Sequence, residues 1–237
     1  MEFTGEQFIP GITKKRLVEE HQARYNYAAD FVKGQAVLDI ACGTGYGTNL
    51  LAEKANRVIG ADVSLESINY ATDHYQRSNL QYIKASVEED IFSENAFDIV
   101  CSFETIEHLD DVTREKFFVN IKKWLKPNGQ LFISTPNKKI TSPFTVKPLN
   151  EFHVLEYDLE TLIREIANYF KIEKIMGQRI VNNFFTQKII RRFFNLAQRF
   201  FKFGSDIYNI ANGAEILEFD DKKQEPRIFF LVCKNIK

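Results

Sequence analysis

Cysteine is scarce: three in 237 residues, Cys42, Cys101 and Cys233, far apart and with no C-x-x-C spacing. That excludes a disulfide scaffold, and each cysteine falls in or beside an apolar run, so buried, reduced thiols in a cytosolic protein are expected. An excess of either charge is also missing. Lys plus Arg (31) and Asp plus Glu (32) cancel to a net charge of −1, which leaves no global positive field to gather nucleic acid, so such a partner would need a local patch. No uncharged run approaches the length of a membrane span. The first ten residues carry Glu2 and Glu6 and have no apolar core, unlike a secretory signal. Internal repeats and low-complexity segments are absent as well. The expectation is a cytoplasmic protein, soluble or at most peripheral to the inner face of a membrane. What is abundant is apolar side chain, at 44% of residues, enough to fill the core of one domain of this size.

Short apolar runs alternate with helical periodicity. A helix over Lys14–Val32, stopped by Gly34, precedes a strand at Ala36–Ile40, a helix at Tyr46–Lys54, a strand at Arg57–Ala61, a helix at Leu65–Arg77 and a strand at Leu80–Ala85. Phe97–Phe103, Thr113–Leu125 and Gln130–Ser134 continue as strand, helix and strand, with Pro127-Asn128-Gly129 as the clearest turn. A helix near Leu159–Tyr169, a strand near Lys171–Met176 and a last strand at Arg227–Cys233 close the chain. Such alternation predicts an α/β, doubly wound, Rossmann-like sheet, mostly parallel with strands joined by right-handed crossovers, with an antiparallel last strand and a helical insertion before it. The organisation expected is one domain over 1–237: a leader and helix (1–33), a core (34–176), a helical insertion (177–226) and the last strand (227–237).

Within the insertion, Phe185, Ile189, Ile190, Phe193, Phe194, Leu196, Ala197, Phe200, Phe201 and Phe203 fall on one half of a helix. Lys188, Arg191, Arg192, Asn195, Gln198, Arg199 and Lys202 fill the other half, with no acid among them. Residues 184–203 therefore read as a homodimer or core-packing face, or as a helix lying on an anionic membrane.

The most informative segment is Val37-Leu38-Asp39-Ile40-Ala41-Cys42-Gly43-Thr44-Gly45-Tyr46-Gly47, a strand running into G-x-G-x-G and then a helix. Glycine lets the backbone turn sharply and approach a ligand that a Cβ would hold off. Asp62, 17 residues after Gly45 and at the end of the next strand, stands where a carboxylate can take both ribose hydroxyls. A dinucleotide would want G-x-G-x-x-G to seat its pyrophosphate, and the triplet here is one residue too short. Asp39 beside the turn would also repel pyrophosphate while tolerating an ammonium and a sulfonium.

With these residues the chain, over about Gly34–Thr135, resembles the class I S-adenosylmethionine-dependent methyltransferases. The resemblance implies that Asp39, Ala41, Gly43 and Gly45 hold the methionine part of the donor, and that Asp62 and Val63 hold ribose and adenine. Ala85-Ser86-Val87 replaces the family's G-D-A after the third strand, so Ser86 and Val87 inherit the adenine position without its acid. His21-Gln22-Ala23-Arg24-Tyr25 resembles the E-H-x-x-R-Y element of bacterial methyltransferases linked to surface-polysaccharide synthesis. It implies that Arg24 and Tyr25 approach the donor carboxylate and that Gly5–Pro10 form part of a lid.

The fourth strand ends in Phe103-Glu104-Thr105-Ile106-Glu107-His108, at the sheet edge where open α/β folds place ligands. If it turns helically, Glu104, Glu107 and His108 share a face at i, i+3 and i+4, and Phe103 reaches the donor. E-x-x-E-H followed by a distant His153 is similar to ubiquinone-pathway O-methyltransferases and to small-RNA 2′-O-methyltransferases. That likeness implies a divalent metal, Mg²⁺, Mn²⁺ or Zn²⁺, on Glu104, Glu107, His108 and His153. Without a metal, His108 is the candidate general base, with Glu107 beside it. The function expected is O-methylation of a hydroxyl on a sugar, glycolipid or other small acceptor. RNA 2′-O-methylation, a donor-binding module without turnover, and a nicotinamide oxidoreductase are the competing readings.

Overall fold

The structure is a computed structural model, described here for residues 15–183 and 213–237. The expected lid at 5–10 and the Phe-rich helix at 184–203 lie outside the described residues.

Seven strands form one sheet in the order β3-β2-β1-β4-β5-β7-β6. They are β1 (Ala36–Ile40), β2 (Arg57–Asp62), β3 (Leu80–Lys84), β4 (Phe97–Phe103), β5 (Leu125–Pro136), β6 (Lys171–Asn182) and β7 (Gln224–Lys234). Strands β1 to β5 pair in parallel, and β7 runs antiparallel between β5 and β6. The helices are α1 (Lys15–Ala29), α2 (Tyr46–Ala52), α3 (Leu65–His74), α4 (Asp111–Trp124), the short α5 (Lys138–Thr141) and α6 (Leu159–Ala167). The expected doubly wound sheet with an antiparallel last strand is what the chain forms.

Helices cover both faces, which is why the central strands are apolar in nearly every position. Alternation along β1 divides the core. Leu38 and Ile40 join Phe117, Phe118 and Trp124 of α4 and Leu162 and Ile166 of α6, whereas Val37 joins Tyr25, Ala28 and Ala29 of α1 and Leu51 of α2. Burying each large side chain contributes roughly 1.5–3 kcal/mol. Asp110 caps α4 by accepting from the Thr113 amide at 2.8 Å, and Asp158 caps α6 by accepting from Thr161 at 2.9 Å. By contrast α2 starts on Gly45, whose φ of 78° is left-handed and which supplies no side-chain cap.

Two expectations about extent are corrected. Pro127-Asn128-Gly129 is a bulge inside β5: Phe97 pairs with Leu125 but Ile99 with Gln130. Asn128 takes the left-handed turn at φ 64°, and Asn235 seals the bulge, its amide donating to the Gly129 carbonyl and its carbonyl accepting from Asn128. Second, residues 177–182 and 224–226 belong to β6 and β7, so these strands reach well into the stretch assigned to the insertion. The periodicity of the long segment hides them, because pairing between β6 and β7, and not local pattern, extends both.

Candidate functional site

The strand order reverses between β1 and β4, and a cavity of about 470 Å³ opens at the carboxyl ends of the strands there. Its wall combines Ala41–Thr44 and Tyr46 after β1, Asp62 and Val63 after β2, Phe103, Glu104 and His108 after β4, His21 and Tyr25 of α1, and Phe152.

The three glycines of the turn do different work. A Cβ on Gly43 would meet nothing within 4 Å, so this residue borders open space, and its φ of 54° suits glycine. On Gly45 a Cβ would sit 2.5 Å from Ala71 and 2.7 Å from the Tyr82 ring. On Gly47 it would overlap Tyr25 at 2.2 Å. Gly45 and Gly47 thus serve helix packing, and of the sequence-derived donor residues Gly45 is one the cavity wall does not include. Ala41 holds a left-handed φ of 61° without being glycine, a strained backbone at the mouth.

Asp62 anchors the turn. One carboxylate oxygen accepts from the Gly43 amide and the other from Ser64, both at 2.8 Å, and burial raises its pKa. Val63 beside it is 66% exposed, an open apolar surface against which a flat ring can lie. Ser86 and Val87 are off the wall: Val87 packs on the core, and the Ser86 amide donates to Glu89.

Asp39 is also absent from the wall. It lies on the same face of β1 as Val37, so it is buried toward α1 and α2, where Thr48 donates to it at 2.6 Å and the Tyr25 hydroxyl at 3.1 Å. Burial, partly offset by these bonds, pushes its pKa up to about 7. Tyr25 thereby ties α1 to the floor of the turn, and its ring meets Phe103 edge-on at 5.0 Å. Arg24 is 1% exposed and also off the wall. It donates to Gln178 of β6 at 2.7 Å and stands 3.9 Å from Glu104.

On the other side, the expected i, i+3, i+4 face does not form. Glu104 has a left-handed φ of 54°, and helical turning begins only in a 3-10 turn at Ile106–His108. Among the described residues the ligand atoms of Glu107, His108 and His153 come within 4.8 Å of one another, without Glu104. Glu104 accepts instead from the Ser134 hydroxyl at 2.7 Å. Glu107 is buried, accepts from Thr135 at 3.0 Å, and is held well above the usual carboxylate range by burial and by Glu104 nearby. The loop carrying His153 is stapled there by the amides of Val154 and Leu155, which both donate to the Glu107 carbonyl.

The imidazoles have legible tautomers. His108 Nδ1 lies 2.9 Å from the Phe152 carbonyl, which only accepts, so Nδ1 is the donor nitrogen and, in the neutral ring, Nε2 is the acceptor. His153 places Nδ1 2.7 Å from Glu156 and Nε2 2.9 Å from the Asn150 side chain, so it donates to the carboxylate and accepts from the amide. Sequence reading missed five residues of the wall: Cys42, Thr44 and Tyr46, which lie within the glycine motif but were given no role, and His21 and Phe152. His21 was findable as the residue four before Tyr25, on the same helix face. Phe152 had no signal beyond its place next to His153.

Residues 38–133 match the family model for a methyltransferase domain. A probable S-adenosylmethionine-dependent methyltransferase of Mycolicibacterium smegmatis is 33% identical over 177 residues, 73% of this chain and 67% of that protein. A mitochondrial ubiquinone biosynthesis O-methyltransferase of Dictyostelium discoideum is 34% identical over 124 residues, 47% of this chain. The chain thus spans 67% and 38% of the lengths of these two relatives. In fold it matches the N-methyltransferase NodS of Bradyrhizobium japonicum, crystallised with S-adenosyl-L-homocysteine: TM-score 0.61 at 15% identity, over 94% of this chain and 89% of that one.

Proposed function

This chain belongs to the S-adenosylmethionine-dependent methyltransferases, and from that premise we propose that it methylates a hydroxyl of a small acceptor, a sugar or glycolipid being the class favoured by its first helix. The supporting observation is His108: its ring lines the donor cavity, and the Phe152 carbonyl fixes the tautomer in which Nε2 can accept a proton. Methyl transfer is an in-line displacement in which the acceptor oxygen bonds the methyl carbon, the carbon–sulfur bond breaks and the sulfonium becomes a neutral thioether. The sulfonium already activates the carbon, so the protein's part is alignment and removal of the hydroxyl proton. An amine acceptor would need that base less, since it presents a lone pair once neutral. The fit to the donor is supported by Gly43, which borders open space, and by Asp62 and Val63, which line the same cavity and would take the sugar and the ring.

His108→Gln is the test. Turnover of a responsive hydroxyl acceptor, read by S-adenosylhomocysteine formation, should fall by about 10²–10⁴, while S-adenosylhomocysteine binds with unchanged affinity. A variant that keeps full turnover would remove His108 as base.

A divalent cation is the second reading, favoured by the meeting of Glu107, His108 and His153. One carboxylate and two imidazoles suit Zn²⁺ or Mn²⁺, and such an ion would lower the pKa of an acceptor hydroxyl. His153 would have to exchange its bond with Asn150 for the metal. Activity that survives a chelator in protein purified without a histidine tag would discard this reading.

A further inference from the structure

Glu104 stands out once it is separated from the histidines. A glutamate with φ 54° is strained and persists only where its surroundings impose that backbone. Here Ser134 imposes it from both sides: its carbonyl accepts from the Glu104 amide at 3.1 Å and its hydroxyl donates to the Glu104 carboxylate at 2.7 Å. The side chain, 21% exposed, thereby lines the cavity.

Its charge is only loosely matched. The Arg24 guanidinium behind it stands at 3.9 Å, near the limit for an ion pair, and gives its close bond to Gln178. The buried Nε of Arg24 has no hydrogen-bond partner among the described residues, an arrangement uncommon in a finished polar network. Among the described residues of the wall, Asp62 and Glu104 are the carboxylates, and they come from loops on either side of the Ala41–Thr44 turn. Asp62 is engaged by the Gly43 and Ser64 amides and, on the donor reading, is the carboxylate that takes the ribose. A donor with a sugar at one end and an amino acid at the other then brings an ammonium to the opposite side of the turn.

We propose that Glu104 is the counter-charge for the donor's α-ammonium, with Ser134 and Arg24 as its positioning residues, and that it is not a metal ligand. The proposal rests on S-adenosylmethionine as donor and is independent of the acceptor and of His108.

Calorimetric binding to the full chain tests it with three probes. S-adenosylhomocysteine has both ends of the amino acid, S-adenosyl-3-thiopropylamine keeps the ammonium but lacks the carboxylate, and 5′-methylthioadenosine has neither. Glu104→Gln should weaken the first two by about tenfold or more and leave the third within about twofold, as loss of a charge-assisted bond to the ammonium requires. Ser134→Ala, which frees the carboxylate without removing it, should show the same order with a smaller loss and keeps the test valid if the glutamine variant folds poorly. Equal weakening of all three probes, or of none, overturns the proposal. So does loss of Zn²⁺ binding in Glu104→Gln with S-adenosylhomocysteine affinity untouched. Failure of the wild type to bind S-adenosylhomocysteine would instead bring down the donor reading itself.

Discussion

Asp39 illustrates how a residue can belong to a glycine-turn motif and yet lie off the cavity wall. Two hydroxyls, from Thr48 and Tyr25, converge on its carboxyl, so it fastens α1 and α2 beneath the turn while Gly43 borders the cavity above. Its pKa moves from an ordinary 3.8 to about 7, which favours the protonated form in the folded state. The stabilisation this represents is complete below about pH 4, where the unfolded chain is also protonated, and is lost as pH rises to about 7. The upper limit of that loss is on the order of 4 kcal/mol. Glu107, also raised, acts in the same direction. Asp39→Asn, which keeps the hydrogen-bonding shape without the ionisation, should flatten the fall in stability between pH 5 and pH 8. Urea unfolding at the two pH values measures this, and an unchanged slope would show that Asp39 is already ionised in the native protein.

The carboxyl-terminal elements carry a device of a different kind. Asn235 is fully buried just after β7, and its side-chain amide donates to the carbonyls of Lys122 and Leu125, both at 3.0 Å, closing the end of α4 against the β5 bulge. Asn235→Ala leaves those carbonyls buried with fewer donors, and a destabilisation of about 2–3 kcal/mol is expected. This junction lies at the start of β5's pairing with β4, at the opposite sheet edge from the cavity, so affinity for S-adenosylhomocysteine should not change. Denaturation and calorimetry on one preparation separate the two effects; lost affinity together with stability would mean that the edges are coupled.

Donor and fold should also be linked across the whole molecule, because the cavity is assembled from α1, the ends of β1, β2 and β4, and the loop at Phe152. A ligand that binds only the assembled form stabilises it by about 2.7 kcal/mol at a hundred times its Kd. For a chain of this size that corresponds to a rise in Tm of roughly 5–10 °C. Scanning calorimetry with S-adenosylhomocysteine should show it, and no rise at saturation would argue that the cavity forms independently of the fold around it.

The strand, glycine turn and helix from Val37 to Leu51, the carboxylate of Asp62 at the end of the next strand and the alternating sheet were legible because each depends on period and spacing along neighbouring segments. Local periodicity therefore determined the fold class, and the family resemblance carried by those same residues pointed to the donor. What tertiary structure alone decided is which way the side chains of that motif point. Gly45 is closed off by Ala71 and Tyr82, and the face of β1 that Asp39 shares with Val37 is turned from the cavity because Tyr25 of α1 and Thr48 of α2 pack against it. Glu104 leaves the histidines because Ser134 on a neighbouring strand holds it in a left-handed turn, and His153 joins them because the Glu107 carbonyl captures the amides of Val154 and Leu155, 47 and 48 residues further along the chain. Such choices depend on packing and hydrogen bonds between segments far apart in the chain, which no local pattern records.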